Sequence, residues 1–237
     1  MSLLTVVIAF CERTNIPAPA SVIGTTDEKI LQVKALLEEE CNDLAKRGSW
    51  QALTFEAPIT TLALEDQGAM TALATNGFNY IKNETIWDRS SRLPIVGPLD
   101  SNDWQMLKAV VTTGPRYQFR IRGGHLLINP VPTVGLLWYF EYLTKNFILG
   151  VDGTTYKQYF TLDTDTILLP EDLVLMGLRW RWKKEKGMEY AEDFRSYEMQ
   201  VKDAVGRDGG KRILQMDYPR RQWPGPGIYI PAGSWKI

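Results

Sequence analysis

Histidine and cysteine are almost absent from this sequence: one histidine and two cysteines occur in 237 residues. Metal sites built from these side chains are excluded by count, because a zinc ion needs three or four such ligands. Cys11 and Cys41 lack metal-ligand spacing, and their separation favours two helices packed side by side, with both thiols as small apolar fillers. Free thiols indicate a reducing compartment. No metal ligand and no cofactor are therefore predicted.

A catalytic constellation is also missing. A histidine-based triad would depend on His125 alone, which follows a Gly-Gly turn and is expected to be an exposed hairpin residue. The sequence contains no GxSxG elbow, P-loop or dinucleotide fingerprint. Asp163 and Asp165 resemble the start of a Ca²⁺ loop without its glycine and closing glutamate, so we expect solvated turn residues. We predict that the chain is not an enzyme; a virion-associated hydrolase using paired carboxylates is the alternative from that class.

An excess of charge and a membrane-spanning segment are lacking as well. The 27 Lys and Arg residues nearly balance 28 Asp and Glu residues, so the net charge is −1 and gives no bulk reason to bind DNA or a membrane tightly. The apolar residues 3–10 are too few to span a bilayer, and they lack the basic start and the cleavage site of a signal peptide. They predict a buried helix capped by Ser2.

Two segments have the three- and four-residue apolar spacing of helices. The first opens at residues 25–28 with a Thr cap followed by acidic residues, and it closes at Lys46-Arg47-Gly48 with glycine as the terminator. The second begins at Pro170, and after Gly187 a further helical segment continues to about Ala204. We expect the helices from the two ends of the chain to pack as one bundle.

Between these helices the spacing changes to that of strands. Residues 117–122 alternate cleanly, Gly123-Gly124 turns, and residues 125–128 return, which predicts a β-hairpin. Residues 136–148 are aromatic and β-branched enough to form a central strand. A short helix over residues 103–111, after a cap at 101–103, is expected to interrupt the sheet.

The sequence beyond Gly210 has no periodicity and is rich in proline, glycine and aromatic residues. Residues 218–227 read YPRRQWPGPG, which cannot form a helix or build a core of its own. We predict an extended arm that docks on another surface. Its expected anchors are Lys211, Arg220, Arg221, Trp223, Tyr229, Ile230 and Trp235.

These features together predict an α+β fold. A helical bundle is made by the N- and C-terminal helices, an antiparallel β region is inserted between them, and an extended C-terminal arm follows. The expected boundaries are residues 1–49 for the N-terminal helices, 50–168 for the β-rich region, 169–205 for the C-terminal helices and 206–237 for the arm.

A basic stretch in the second helical segment offers a nucleic-acid or acidic-partner face. Arg179, Trp182, Lys183 and Lys186 can share one side of a helix, giving cations beside one aromatic platform. The competing interpretation is a solvated flank whose lysine stems cover apolar surface. Nearby acidic residues dilute the positive potential and favour the second interpretation, so a nucleic-acid-binding module stays an alternative function.

Three stretches carry a resemblance to a known family. The chain contains KRGSW at residues 46–50, ETIWDRSSRLPI at 84–95, and LLPEDLVLMGLRWRWKKEKGMEYAEDFRSYEMQV at 168–201. In this order they resemble the head-to-tail adaptor (connector or neck) proteins of tailed bacteriophages, in the podovirus and related lineages. The likeness covers about residues 1–205, and it does not extend to the arm or to the full size of the β region.

The resemblance implies a structural protein of the virion neck. Such proteins form a ring, typically of twelve copies, below the portal and around the DNA exit channel, with transient non-specific contact to the genome. Carried over to this chain, the arm from Lys211 would dock on the portal protein, and the β insertion around Trp87-Asp88-Arg89 would face outward or toward tail nozzle or tube proteins. Assembly would occur in the host cytoplasm, and no membrane partner is implied.

Overall fold

A computed structural model describes residues 1–109 and 116–209 of the chain. The fold is α+β, as predicted. The predicted arm anchors, Lys211 to Trp235, lie outside the described residues, as does the expected end of the short helix at residue 111. No helix within the described ranges combines the length and the apolar character needed to cross a membrane.

Six α-helices and one 3₁₀ turn occur in the described ranges. The 3₁₀ turn covers Gln51–Leu53, and α3 and α4 belong to the inserted region. The helices are α1 (Leu3–Thr14), α2 (Glu28–Arg47), α3 (Met70–Leu73), α4 (Ser101–Ala109), α5 (Glu171–Glu185) and α6 (Ala191–Arg207).

The ends of α1 and α2 are set by their capping residues. Ser2 caps α1, as predicted, because its hydroxyl accepts from the Thr5 N–H. The prediction of a Thr cap for α2 is wrong: Asp27 is the cap, and its Oδ1 accepts from the Lys29 N–H at 2.9 Å. Gly48 ends α2 in extended backbone, not in the left-handed conformation of a glycine terminator.

The helices pack as one bundle around α5. Buried residues occur on all sides of α5, which contacts α1, α2 and α6. The chain reverses after Gly187, so α5 and α6 form a helical hairpin rather than one bent helix. Cys11 and Cys41 are buried free thiols in this core, on α1 and α2, as expected of apolar fillers. Burial raises the pKa of both thiols.

Eleven strands form three antiparallel sheets in the described ranges, in the orders β1-β8-β4-β5 (with β3 also paired to β8), β2-β7-β6 and β10-β9-β11. The strands are β1 (Thr54–Thr60), β2 (Asp66–Ala69), β3 (Phe78–Ile81), β4 (Trp87–Asp88), β5 (Leu93–Pro94), β6 (Gln118–Arg122), β7 (His125–Asn129), β8 (Leu137–Thr144), β9 (Ile148–Leu149), β10 (Tyr156–Lys157) and β11 (Thr166–Ile167).

The predicted hairpin is confirmed, and the predicted central strand over residues 136–148 is confirmed as β8 up to Thr144, while Ile148 belongs to β9 of another sheet. Gly123 and Gly124 have φ of 59° and 77°, which a two-residue turn between β6 and β7 requires and which favours glycine. β8 pairs with β1, β3 and β4, so it is central in its sheet. The two larger sheets enclose a second core, which includes Phe119, Trp138 and Phe140.

The third, small sheet packs with the helices. Phe147, Ile148, Phe160 and Ile167 belong to the core of the bundle, although the sequence grouped them with the β insertion. The insertion that has its own core therefore ends near residue 145. At the other boundary, α6 continues to Arg207, two residues beyond the predicted end of the C-terminal helices.

Candidate interaction surfaces

A buried ionic cluster joins α2 to α5 and fixes the position of α5. Arg181 Nε donates to Glu40 Oε2 at 2.6 Å, and Tyr197 Oη donates to the other Glu40 oxygen. Glu39 and Asp43 also pair with the Arg181 guanidinium. Burial raises the pKa of Glu40, although the bonds from Arg181 and Tyr197 oppose the rise. The Glu40 side chain has no exposed surface and that of Arg181 is 8% exposed, so the centre of this cluster is buried and holds the helices together.

The predicted basic face is largely engaged within the fold. Trp182 is 7% exposed and makes an edge contact with Phe10 of α1, so it is not an exposed stacking platform. Arg179 and Lys183 both pair with Asp193 of α6. Lys186 lies 4.5 Å from the centre of the Trp182 ring and donates to Gln32 Oε1 at 2.8 Å. The four residues share a region, but they do not present an open cationic surface.

An aromatic cluster that the sequence interpretation did not identify lies at the α5–α6 turn. The Trp180 ring lies 5.0 Å from Phe194 and 6.5 Å from Tyr190, centre to centre. Phe194, Tyr190 and the neighbouring Met188 are exposed, Met188 by 54%. The Trp180 Nε1 is buried without a hydrogen-bond partner among the described residues. We call Trp180, Tyr190 and Phe194, together with the exposed Met188 two residues before Tyr190, the turn patch; exposed aromatic and Met side chains are typical of protein interfaces.

A second unusual surface lies on the outer face of the five-stranded sheet. Pro58 of β1 is directly opposite Tyr139 of β8, Tyr139 is opposite Trp87 of β4, and Trp87 is opposite Pro94 of β5. Directly opposite residues share a face of the sheet, and the neighbouring positions on β1 and β8 point into the core. Four ring side chains therefore form one row across four strands. We call Pro58, Tyr139, Trp87 and Pro94 the ring row.

Charged residues flank the ring row. The Arg89 guanidinium lies 3.5 Å from the centre of the Tyr139 ring and pairs with Glu56. Glu56 is directly opposite Glu141, whose carboxylate has Lys82 Nζ at 3.8 Å. The sheet surface thus combines stacked rings with two neighbouring carboxylates. The sequence singled out residues 87–89, but the partners on β1 and β8 depend on strand register and could not be read from it.

The expectation that Asp163 and Asp165 are solvated turn residues is wrong. Asp163 accepts from the N–H groups of Val22 and Ile23, at 3.0 and 2.8 Å, and so joins two distant loops. The Asp165 side chain is fully buried and pairs with Lys157 at 2.9 Å. Backbone N–H groups need acceptors when a turn is buried, and these carboxylates supply them. Both aspartates are structural residues.

His125 is exposed at the β6–β7 hairpin, as predicted, and its Nδ1 lies 2.9 Å from Asp66 Oδ2. The N–H of Gly68 and then His125 lower the pKa of Asp66. No cluster of three or more His, Cys, Asp or Glu side chains suited to a metal ion occurs in residues 1–109 and 116–209.

The described part of the chain ends at Gly209, and the neighbouring Asp208 is held against the start of the β insertion. Its Oδ2 accepts from the Gln51 N–H at 2.7 Å, and Gly209 lies against the Gln51 side chain. Gln51 begins the 3₁₀ turn that leads directly into β1. The segment that contains the predicted arm therefore starts beside the five-stranded sheet.

Comparison of the sequence with protein-family models gives no match, and comparison with curated proteins gives none either.

Proposed function

We propose that the chain is a structural subunit of a tailed-phage head-to-tail adaptor, and that copies of it form a ring joining the portal to the tail. The observation that carries the proposal is the turn patch, an exposed aromatic surface on the helical bundle that differs from the ring row on the β insertion. A ring needs heterologous contacts, in which one surface of a subunit meets a different surface of the next.

The helical bundle has the rigidity that a ring subunit needs. The hairpin of α5 and α6 is held to α2 by the Arg181–Glu40–Tyr197 cluster, and α1 packs on its other side. A buried and fully paired charge network favours one packing arrangement over its alternatives. The turn patch is therefore presented on a helical hairpin whose position is fixed by the rest of the bundle.

The pairing of cations on the predicted basic face supports the same proposal. A channel that passes a genome should not hold phosphates tightly, and phosphate binding depends on unpaired lysine and arginine. In the strongest basic stretch of the sequence, Arg179 and Lys183 share an ion pair with Asp193, and the whole chain carries a net charge of −1. The contact proposed with genomic DNA is transient and non-specific.

The C-terminal segment and the tail-facing surface complete the proposal. In the assembled virion neck, residues 211–237 would dock on the portal protein, and the β insertion around Trp87 would face tail nozzle or tube proteins. The last described residues lie beside the 3₁₀ turn, at the junction of bundle and insertion. Deletion of residues 211–237 should abolish portal docking and leave the chain able to fold and unfold cooperatively.

The ring contact can be tested with two matched substitutions. Met188 and Met199 are exposed by 54% and 62%, but only Met188 belongs to the turn patch. Met188→Glu buries a charge in the proposed contact and should prevent ring assembly on the portal, while Met199→Glu should assemble like the wild type. Sedimentation of each protein with portal rings measures assembly. Equal assembly by both variants would remove the turn patch from the ring interface.

A further inference from the structure

The ring row has the features of a surface that binds proline-rich peptide. Its four rings lie on four adjacent strands, so at about 4.8 Å per strand the row is about 14 Å long. Grooves lined with aromatic rings recognise peptides in the polyproline II conformation. This conformation has no internal hydrogen bonds, and a proline-rich peptide adopts it before it binds. A shallow depression beside Trp87, lined by Asp88, Arg89 and Arg92, adds a recess next to the rings.

We propose that the ring row binds residues 218–226 of its own chain. This segment reads YPRRQWPGP and contains three prolines and two aromatic residues in nine positions. Prolines at this density favour polyproline II, and aromatic side chains between them supply large anchors at little entropic cost. The occupant and the surface therefore have matching chemistry within one chain.

The position of the chain exit makes this docking possible. Gly209 lies against Gln51, and Gln51 precedes Pro58 by seven residues, three of them in the compact 3₁₀ turn. Pro58 is therefore within about 25 Å of the exit, on the basis of about 3.4 Å per strand residue. The connection from residue 210 to 217 can reach about 26 Å when extended. Because surface and segment are tethered, even weak binding is favoured by an effective concentration in the millimolar range.

Part of the surface is acidic and can receive the arginines of the segment, whereas Arg89 and Arg92 make the recess beside Trp87 basic. The surface offers Glu56 and Glu141, which face each other and leave like charges adjacent on the sheet. Their described cations are Arg89 on Glu56 and Lys82, at 3.8 Å, on Glu141. The segment supplies Arg220 and Arg221 between its aromatic residues. An added arginine close to Glu141 would relieve the repulsion between the carboxylates.

This docking does not depend on the proposed adaptor function, because both partners belong to one chain. It gives the free subunit a resting place for the segment that the adaptor proposal assigns to the portal. The two proposals also fail separately: portal binding can be lost with the docking intact, and the docking can be absent in a subunit that assembles.

Trypsin digestion of the full chain tests the docking, because Arg220 and Arg221 are cleavage sites inside the docked segment. We expect initial cleavage there to be at least about tenfold slower than in a synthetic peptide of residues 214–230, since bound segments must open before cleavage. Trp87→Ala should raise the rate of cleavage at Arg220 and Arg221 at least about fivefold. Glu141→Gln should also raise this rate. Tyr159 is also aromatic, is 60% exposed and lies outside the ring row, so Tyr159→Ala should leave the cleavage rate unchanged.

The comparison keeps folding and docking apart. Lys211 and Arg212 precede the docked segment, so their cleavage rate provides an internal reference, and thermal unfolding of each variant reports its fold. Wild-type cleavage at the rate of the free peptide would overturn the proposal, as would equal rates for Trp87→Ala and Tyr159→Ala. Protection must be constant over an about hundredfold range of protein concentration; protection that appears only at high concentration would overturn docking within one chain.

Discussion

Gly177 of α5 leaves the space that the side chain of Glu40 on α2 occupies. A Cβ atom at Gly177 would overlap the Glu40 carboxylate, which accepts from Arg181 Nε at 2.6 Å. The contact between these two helices thus depends on a missing side chain on one and a buried charge on the other. Because α5 is the centre of the bundle, this pair also sets where the turn patch is presented.

Gly177→Ala should destabilise the fold. The added methyl group must displace a buried carboxylate from its partners, and we expect the free energy of unfolding to fall by about 2–4 kcal/mol. Gly206→Ala is the matched control, because it lies in α6 with nothing within 4 Å of its Cβ position. An exposed helical Gly→Ala change is expected to stabilise by about 0.5–1 kcal/mol. Urea unfolding measures both, and a similar effect of both changes would contradict the role of Gly177.

Asp165→Asn should weaken the fold at neutral pH and change its response to acid. Burial raises the pKa of Asp165, but bonds from Lys157 and from the N–H groups of Thr161 and Leu162 outweigh it, so the pKa lies below 3.8. A lowered pKa means that the carboxylate stabilises the fold above about pH 3.8 and that this stabilisation is lost as the pH falls through the folded-state pKa.

Asp165→Asn should therefore lower the free energy of unfolding by about 1–3 kcal/mol at pH 7, because an amide cannot accept all of these bonds and cannot form an ion pair with Lys157. The difference from wild type should narrow below about pH 4. Unfolding measured from pH 3 to 7 gives the profile. Asp203→Asn removes the same charge from a 70% exposed side chain and should stay within about 0.5 kcal/mol of wild type throughout. If the free energy of unfolding of Asp165→Asn stayed below that of the wild type by the same amount at every pH, the ionised carboxylate of Asp165 would not be the stabilising group.

The α+β fold, the β6–β7 hairpin and the central strand β8 followed from the sequence because their signals are local. Gly123 and Gly124 separate two alternating segments, and only a turn with positive φ at both positions joins them. The burial of α5 could not be predicted in the same way, because it depends on helices that are distant in sequence. Trp180 and Trp182 are about 200° apart on the helix, and both are buried because α5 is enclosed by three other helices. A pattern without one polar face indicates a central helix, and that signal was available.

The ring row could not be predicted, because its members come from four strands that lie far apart in sequence. Only the pairing of Tyr139 with Pro58 on one side and Trp87 on the other brings them together. Asp165 carried no such local signal, because it accepts N–H groups that precede it in the chain, from Thr161 and Leu162, whereas an Asx turn bonds backbone that follows the aspartate.

Asp193→Asn should increase the affinity of the chain for DNA. The change removes the one carboxylate that pairs with both Arg179 and Lys183 on the predicted basic face. We expect the slope of log affinity against log salt to steepen by about one to two, one unit for each added phosphate contact. Fluorescence anisotropy with a short duplex at low salt measures it. Asp203→Asn makes the same change of net charge beside Arg207, so an equal gain there would assign the effect to total charge.

Electron microscopy of portal rings incubated with the purified chain tests the adaptor proposal most directly. The account predicts an added layer of density on one end of the portal with the rotational symmetry of a closed ring, absent with Met188→Glu and with the chain truncated after residue 210. Portal rings that stay bare at saturating concentrations of the full chain, while the chain remains monomeric, would contradict it.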